Sequence, residues 1–170
     1  MRRNGSTNLG IIGLIAMAGF FNCGGGPVYP QDQPALDKEK MEASALLDKY
    51  LRAFQSRNLA LASEVYAHDG DLIVYGSNPS DRRYGWRQTE EYLRDYFASV
   101  ESIEVVLKER NIRVHASGDV AWFAQVLTWR EVEKGKTYTM DGLRFTGVLE
   151  KRNGAWLIVQ LHASGPPPVS

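Results

Sequence analysis

Cysteine, net charge and long apolar runs are scarce in this chain of 170 residues. The single cysteine, Cys23, excludes an internal disulfide and any metal site built on paired cysteines. Lys and Arg together number 20, as do Asp and Glu, so the formal net charge is zero. Without a basic surplus, the electrostatic case for nucleic-acid binding is missing, and we expect no nucleic-acid partner.

Recognisable catalytic and cofactor motifs are also missing. The three histidines, His68, His115 and His162, lie far apart in the sequence, and no metal-ligand spacing involves them. There is no serine nucleophile elbow and no glycine-rich phosphate loop. We therefore expect neither a metal ion nor an organic cofactor.

The main apolar run, residues 9–21, follows the basic pair Arg2-Arg3 and is shorter than the roughly 20 residues of a membrane span. This layout predicts an export signal peptide over residues 1–22. Cys23 and the glycines after it resemble the lipidation site of a bacterial lipoprotein, although Asn22 departs from the small residue preferred there. The resemblance implies a protein attached to the cell envelope by a lipid on Cys23. The alternative is an ordinary signal cleaved near residues 16–19, with a periplasmic or secreted product.

The remaining chain divides by composition. Residues 23–36 are rich in Gly and Pro and predict a flexible tether, and the Pro-rich residues 166–170 predict a disordered tail. Between them, residues 37–165 form one predicted domain. Apolar spacings of three and four, and then alternation of period two, predict its elements. Helices are expected at 37–55, 59–67 and 86–99, a short strand at 72–75, and long strands at 103–116, 119–131, 137–151 and 155–164.

This order predicts an α+β fold in which three helices pack on one face of an antiparallel sheet. It resembles the SnoaL-like group of the nuclear-transport-factor-2-like superfamily. The residues that carry the resemblance are Gly85, the segments 118–122 and 146–156, and the ending Gln160-Leu-His-Ala-Ser164. The resemblance implies a strongly curved sheet that forms a cone around a central pocket. Relatives include polyketide cyclases, steroid isomerases, dehydratases and kinase assembly domains, so it does not imply a single activity.

The turn at residues 152–154 decides which side chains of the last strand face the pocket. A two-residue turn at Asn153-Gly154 would place Gln160 opposite Gly147 and His162 opposite Phe145. A three-residue loop with a bulge would instead pair Thr146 with Gln160, and Arg144 with His162. We favour the three-residue loop, because it gathers these polar side chains on one face that a pocket can use.

The predicted pocket wall combines aromatic residues of the helices with one face of the sheet. Its predicted members are Tyr50, Tyr66, Tyr75, Trp86, Tyr96, Phe123, Gln125, Trp129, Thr146 and Gln160. The opposite face is predicted to be apolar and to meet a second copy of the chain. Its predicted members are Trp122, Ala124, Val126, Val148, Val159, Leu161 and Ala163.

His162 is the predicted general acid or base, because the ordinary pKa of histidine lies near neutrality. Arg144 is predicted to hold an anionic or carbonyl group beside it. The favoured register puts no carboxylate on the pocket face of the last two strands except near their ends, unlike relatives that use one as a base. Three functions remain open: a binding module for a small apolar or aromatic molecule, an isomerase, cyclase or dehydratase, and a dimeric interaction module.

Overall fold

The computed structural model describes residues 33–78 and 80–165, and this part of the chain contains three helices and six strands. The helices are α1 (Gln33–Gln55), α2 (Leu59–Ser63) and α3 (Gly85–Ser99). The strands are β1 (Ile73–Tyr75), β2 (Arg82–Tyr84), β3 (Ser102–Val114), β4 (Val120–Glu133), β5 (Lys136–Arg152) and β6 (Ala155–Ser164). The predicted α+β order is correct, and β2 is an additional strand inside the predicted loop. The predicted signal peptide, Cys23 and the 166–170 tail lie outside the described residues.

Three helix boundaries differ from the prediction, although α3 begins only one residue earlier, at Gly85. Helix α1 begins at Gln33, inside the predicted tether of residues 23–36. Helix α2 is capped by Asn58, whose side chain accepts a hydrogen bond from the Leu61 amide at 2.9 Å, but it ends at Ser63. The chain leaves the helix there because Tyr66 forms a parallel bridge with Ile158 of β6. Pairing with the sheet replaces the helical hydrogen bonds that the local pattern predicts.

The six strands form one sheet in the order β2-β1-β6-β5-β4-β3. Strands β1 and β6 are parallel, and every other neighbouring pair is antiparallel. The three helices lie on one face, where Leu127, Leu143 and Leu149 are at most 3% exposed. Helix α1 packs against them with Ala43, Leu46, Leu47, Tyr50, Leu51, Ala53 and Phe54. We call this helix-covered side the inner face and the other side the outer face.

Three bulges interrupt the long strands and increase the curvature of the sheet. One extra residue stands at Lys108 in β3, at Gly142 in β5 and at Val159 in β6. Gly142 has φ +79°, a left-handed conformation that glycine adopts without the steric cost of a side chain. Each extra residue reverses the alternation of inward and outward side chains in its strand.

The favoured register of the last hairpin was wrong. Arg152 pairs with Ala155, so Asn153 and Gly154 form a two-residue turn, and both have positive φ. This combination is typical of the Asn-Gly hairpin turns that match the twist of the strands. Beyond the Val159 bulge, however, neither predicted register applies. His162 lies opposite Thr146, and Arg144 lies opposite Ser164.

As a result, several predicted faces of β5 and β6 are exchanged. Arg144, Thr146 and His162 are exposed on the outer face, and Gln160 is half-buried there. Leu161 and Ala163, which were predicted for the outer face, instead point inward and are at most 8% exposed. Val159 at the bulge is also buried, whereas Val148 lies on the outer face as predicted. On β4 the alternation was assigned correctly, because the segment from Phe123 to Trp129 contains no bulge of its own.

Candidate functional site

The inner face and the helices line a partly open cavity of about 160 Å³. Its apolar wall comes from Phe54, Val74, Leu93, Trp129, Met140, Leu143, Phe145, Leu161 and Ala163. Polar groups reach it from Tyr50, Tyr66, Tyr75, Ser77, Asp81, Arg83, Thr89, Tyr92, Tyr96 and Glu131. A mostly apolar cavity with a few polar groups is the usual form of a small-molecule site.

An ion pair stands at one side of this cavity. Arg83 is the middle residue of β2, and alternation along this edge strand turns its side chain inward, where it is 9% exposed. Its Nη1 donates to the carboxylate of Asp81, and its Cζ lies 3.8 Å from the centre of the Tyr92 ring. Gly76 leaves room for the Asp81 carboxylate, because a β-carbon at position 76 would overlap it. The pair is therefore built into the β1–β2 hairpin.

The Arg83 guanidinium is incompletely satisfied. Its Nε is buried and has no hydrogen-bond partner within the described chain. Buried donors are usually paired, and leaving one unpaired costs about 1–3 kcal/mol. A ligand oxygen that enters the cavity would give this guanidinium a further acceptor after a small side-chain adjustment.

Two buried tyrosines stand deeper in the cavity wall. Tyr50 of α1 and Tyr66 after α2 are each 2% exposed, with ring centres 6.0 Å apart in an edge-on arrangement. Burial raises the pKa of Tyr50 well above its usual range and also raises the pKa of Tyr66. Both hydroxyls stay protonated at neutral pH. Tyr50 donates its hydroxyl hydrogen to Tyr66, so the hydroxyl hydrogen of Tyr66 is the one available to a ligand oxygen.

A single carboxylate, that of Glu131, stands at another part of the wall. Tyr96 of α3 donates its hydroxyl hydrogen to Oε2 of Glu131, and Nε1 of Trp129 donates to the same oxygen at 3.1 Å. Burial, followed by the Glu131 carboxylate, raises the pKa of Tyr96, so its hydroxyl remains a donor. Phe54 packs against both aromatic partners, with ring centres 6.3 Å from Tyr96 and 5.5 Å from Trp129.

The predicted site residues divide into two groups. Tyr50, Tyr66, Tyr75, Tyr96 and Trp129 line the cavity, whereas Trp86, Phe123, Gln125, Thr146 and Gln160 do not. Trp86 instead stacks on His68, with ring centres 4.5 Å apart. Gln125 is buried and accepts a hydrogen bond from Arg110 at 3.0 Å, as part of a polar contact between the sheet and α1.

The predicted acid–base pair lies outside the cavity. His162 is exposed on the outer face, and its nearest aromatic contact is Tyr75, at 6.4 Å between ring centres. Arg144 is exposed on the same face, two residues along β5 from the partner of His162. The structure does not bring these two side chains to the cavity. The bulge at Val159 turns His162 outward, and Arg144 lies on the same exposed face of β5 as Thr146, the partner of His162.

The sequence interpretation missed three charged residues of the cavity. Asp81 and Arg83 belong to a segment that reads as a polar loop, and their inward direction depends on the short strand β2. Glu131 lies two residues after Trp129 and therefore shares its face, a signal that alternation alone contains. Tyr92 could also have been predicted from the sequence, because it precedes Tyr96 by one helical turn and so lies on the same side of α3.

Neither a metal cluster nor a membrane helix is found in the described residues. Within 33–78 and 80–165, no three His, Cys, Asp or Glu side chains stand together as a metal site would require. In the same ranges, no helix combines the length and apolar content needed to cross a membrane.

The family model for the SnoaL-like domain matches residues 43–169. The chain belongs to the SnoaL-like family. The match covers the helices from within α1 and the whole sheet, so it includes every residue of the cavity. A search of curated proteins finds no match.

Solved structures share the fold of this SnoaL-like domain. A nuclear-transport-factor-2-like superfamily protein from Salmonella enterica serovar Typhimurium is 21% identical, with a TM-score of 0.69 over 79% of this chain and 95% of that one. A proposed calcium/calmodulin-dependent protein kinase II association domain from Xanthomonas campestris is 29% identical, with a TM-score of 0.64 over 75% and 88%. A proposed scytalone dehydratase from Novosphingobium aromaticivorans is 10% identical, with a TM-score of 0.70 over 78% and 87%. These likenesses establish the cone-shaped fold.

Proposed function

We propose that this SnoaL-like domain binds a small, largely apolar molecule inside its cone. The observation that supports the proposal is the cavity itself, whose aromatic wall carries the Asp81–Arg83 pair, two protonated tyrosines and Glu131. In another protein, an engineered apolar cavity of about 150 Å³ holds one benzene molecule. A cavity of about 160 Å³ therefore suits a ligand with one ring and a small polar group.

Filling the cavity tests this proposal. Ala163 is 8% exposed and lines the cavity, so Ala163→Phe should occupy the space of a ligand and abolish binding. The smaller change Ala163→Val should weaken binding without abolishing it. Ala98→Phe adds the same ring at an exposed position of α3 outside the cavity and serves as the matched control.

The measurement is a thermal-shift screen of single-ring phenols, aldehydes, acids and amines, followed by calorimetry of the hits. Ligand at 100 times its dissociation constant stabilises the folded state by about 2.7 kcal/mol, which gives a measurable rise in Tm. Binding that survives in Ala163→Phe, or that is lost equally in Ala98→Phe, would contradict the proposal.

A second candidate function is acid–base catalysis in the same cavity, of the isomerase, cyclase or dehydratase kind. It is favoured by Asp81 and Glu131, two carboxylates in a cavity wall that also contains the hydroxyl groups of Tyr50 and Tyr66. The names of the Novosphingobium relative and of a proposed dehydratase from Streptomyces avermitilis, 16% identical, agree with such chemistry. Because His162 is on the outer face, we move the role of base from His162 to one of the carboxylates. Turnover that is lost in His162→Ala but kept in Asp81→Asn and Glu131→Gln would contradict this assignment.

We also propose that the outer face joins two copies of the chain. Trp122 is 49% exposed there, beside Ala124, Val126 and Val148, and an exposed apolar patch of this kind is typical of an interface. The association domain named for the Xanthomonas relative is consistent with assembly. Trp122→Glu should give a monomer in light scattering, whereas Met41→Glu, on an exposed position of α1, should not change the mass. A wild-type monomer at high concentration would contradict the proposal.

Export and lipidation are proposals that rest on the sequence of residues 1–23 alone. Mass spectrometry of the mature protein from a bacterial host would show whether its first residue is Cys23 with a diacylglyceryl group. A mature protein that begins elsewhere, with an unmodified Cys23, would support the alternative of a cleaved signal and a periplasmic or secreted product.

A further inference from the structure

The charges that line the cavity do not balance. Three charged side chains contribute to the wall: Asp81 and Glu131 are acidic, and Arg83 is basic. Asp81 and Arg83 neutralise each other through their ion pair. Glu131 has no cationic partner within 4.0 Å among the described residues, so the cavity carries the one negative charge of Glu131 in excess.

The Glu131 carboxylate is held in place through one oxygen and has its other oxygen free to accept a hydrogen bond. Both of its hydrogen bonds, from Tyr96 and from Trp129, end on Oε2. No donor in residues 33–78 or 80–165 bonds to Oε1. Two donors hold the orientation of the carboxylate, while one oxygen remains available to a donor from outside the chain. Hydrogen bonds between a cationic donor and a carboxylate are about twice as strong as neutral ones.

Aromatic side chains cluster beside the same carboxylate. Tyr96 and Trp129 bond to it through their hydroxyl and indole N–H groups, and Phe54 packs against both rings. Phe145 extends the cluster, with its ring centre 6.0 Å from that of Trp129. Aromatic faces attract cations and contribute about 0.5–2 kcal/mol to their binding, and walls of aromatic rings are a known solution for ammonium ligands.

The one cation of the cavity wall is held away from Glu131. The Arg83 guanidinium packs on the ring of Tyr92, and Tyr92 stacks on Tyr96 with ring centres 5.7 Å apart. Only the second ring, that of Tyr96, contacts Glu131. Arg83 therefore forms its ion pair with Asp81 and leaves the charge of Glu131 uncompensated.

We propose that the ligand of this cavity is a small organic ammonium ion, with an apolar ring-sized body and its cationic nitrogen at Glu131. This inference rests on the proposed binding function and adds the charge of the ligand to it. The nitrogen donates to the free oxygen of Glu131 and contacts the rings of Tyr96 and Trp129. The ring occupies the apolar part of the cavity beside Phe145 and Leu143.

Three probes of nearly equal size test the charge: benzylamine, which is cationic at pH 7, benzyl alcohol, which is neutral, and benzoate, which is anionic. We expect calorimetry to show benzylamine binding at least about tenfold more tightly than benzyl alcohol, with benzoate the weakest. In Glu131→Gln the preference for the amine should fall below about threefold. The glutamine retains an oxygen that accepts from Tyr96 and Trp129, so the cavity wall should keep its shape.

Glu104→Gln is the matched control, because it removes the same charge from an exposed side chain of β3 outside the cavity. It should keep the full preference for benzylamine. If Glu131→Gln does not fold, nuclear Overhauser contacts in the wild-type protein replace it. The methylene protons of benzylamine should then contact the Trp129 indole.

Benzyl alcohol that binds as well as benzylamine would overturn the ammonium inference and leave the proposed binding function intact. A preference for the amine that persists in Glu131→Gln, or contacts that place the methylene protons far from Trp129, would overturn the role of Glu131. Failure of all three probes to bind would also overturn the inference, whereas the proposed function is judged by its own cavity-filling variants.

Discussion

The two faces of the sheet are made by the same strands but differ in almost every physical property. The inner face is closed by three helices and holds aliphatic and aromatic side chains, with a cavity at its centre. The outer face carries the exposed Trp122 among small, polar and charged residues. The difference shows that a residue's contribution to stability and to the cavity depends on which face of the sheet it occupies, more than on its chemical type.

The largest effect on stability should come from shortening side chains at two consecutive residues of β5 that lie on opposite faces of the sheet. Leu149 is fully buried on the inner face, and Val148 is half-buried on the outer face. Leu149→Ala should lower the free energy of unfolding by about 2–5 kcal/mol, because it leaves a void in the core. Val148→Ala should lower it by less than about 1 kcal/mol. Urea denaturation of both variants checks the contrast, and equal losses would contradict the assignment of faces.

A smaller effect is expected at Gly147, where the backbone of β5 passes close to its neighbours. A β-carbon there would overlap the carbonyl oxygen of Gln160 and approach Cε1 of Phe123 to 2.6 Å. Gly147→Ala should therefore destabilise the fold by about 1–3 kcal/mol through overpacking.

Gly70→Ala is the matched control for this position, because a β-carbon at Gly70 meets nothing within 4 Å. It should be neutral or slightly stabilising in the same urea experiment. A neutral Gly147→Ala would show that β5 and β6 are less closely packed than the structure indicates.

Alkaline pH should lower the stability of the folded protein because of the buried tyrosines of the inner face. Burial raises the pKa values of Tyr50 and Tyr66, so above pH about 10 the unfolded chain releases protons that the folded chain keeps. Stability should be constant below that pH and fall above it, by about 1.4 kcal/mol per pH unit for each such tyrosine.

Urea denaturation between pH 8 and roughly 11 measures this slope. Tyr66→Phe should make it shallower, whereas Tyr138→Phe, at a residue 47% exposed on β5, should not change it. A slope unchanged in Tyr66→Phe would mean that the Tyr66 hydroxyl reaches solvent.

The smallest effect is expected at His162 on the outer face. His162→Ala should change the affinity of any cavity ligand by less than about twofold, because the side chain does not reach the cavity. Calorimetry with benzylamine, or with another ligand of the cavity, checks this. A larger loss of affinity would show that the end of β6 also contributes to binding.

Much of the molecule is readable from local patterns. The apolar spacing of α1, the cap at Asn58 and the alternation of β4 all predict the observed elements, because each depends on neighbouring residues only. The SnoaL-like resemblance predicted the cone. The aromatic residues Tyr50 and Tyr96 were found for the same reason, since the helical period identifies the buried side of a helix. Tyr66 was also named correctly, although it lies beyond the end of α2 and is bridged to the sheet.

The polar and charged side chains that face the cavity could not be predicted from local patterns. The bulge at Val159 adds one residue to β6, and it moved His162 and Gln160 from the predicted pocket to the outer face. The short strand β2 directed Arg83 inward out of a segment that reads as a loop. A one-residue shift of this kind leaves composition and periodicity almost unchanged, yet it reverses every later side chain of a strand.

The sequence by itself therefore determined the α+β fold and most of its helices and strands, whereas β2, the end of α2 and the two-residue form of the Asn153-Gly154 turn were not predicted. Only the tertiary structure decided which side chains meet in the cavity. Local patterns predict whether a side chain points to the same side of its strand as its neighbours. The pairing of strands in the curved sheet, with its three bulges, decides whether that side is the inner or the outer face. The meeting of Tyr96, Trp129 and Glu131 is the outcome of that pairing.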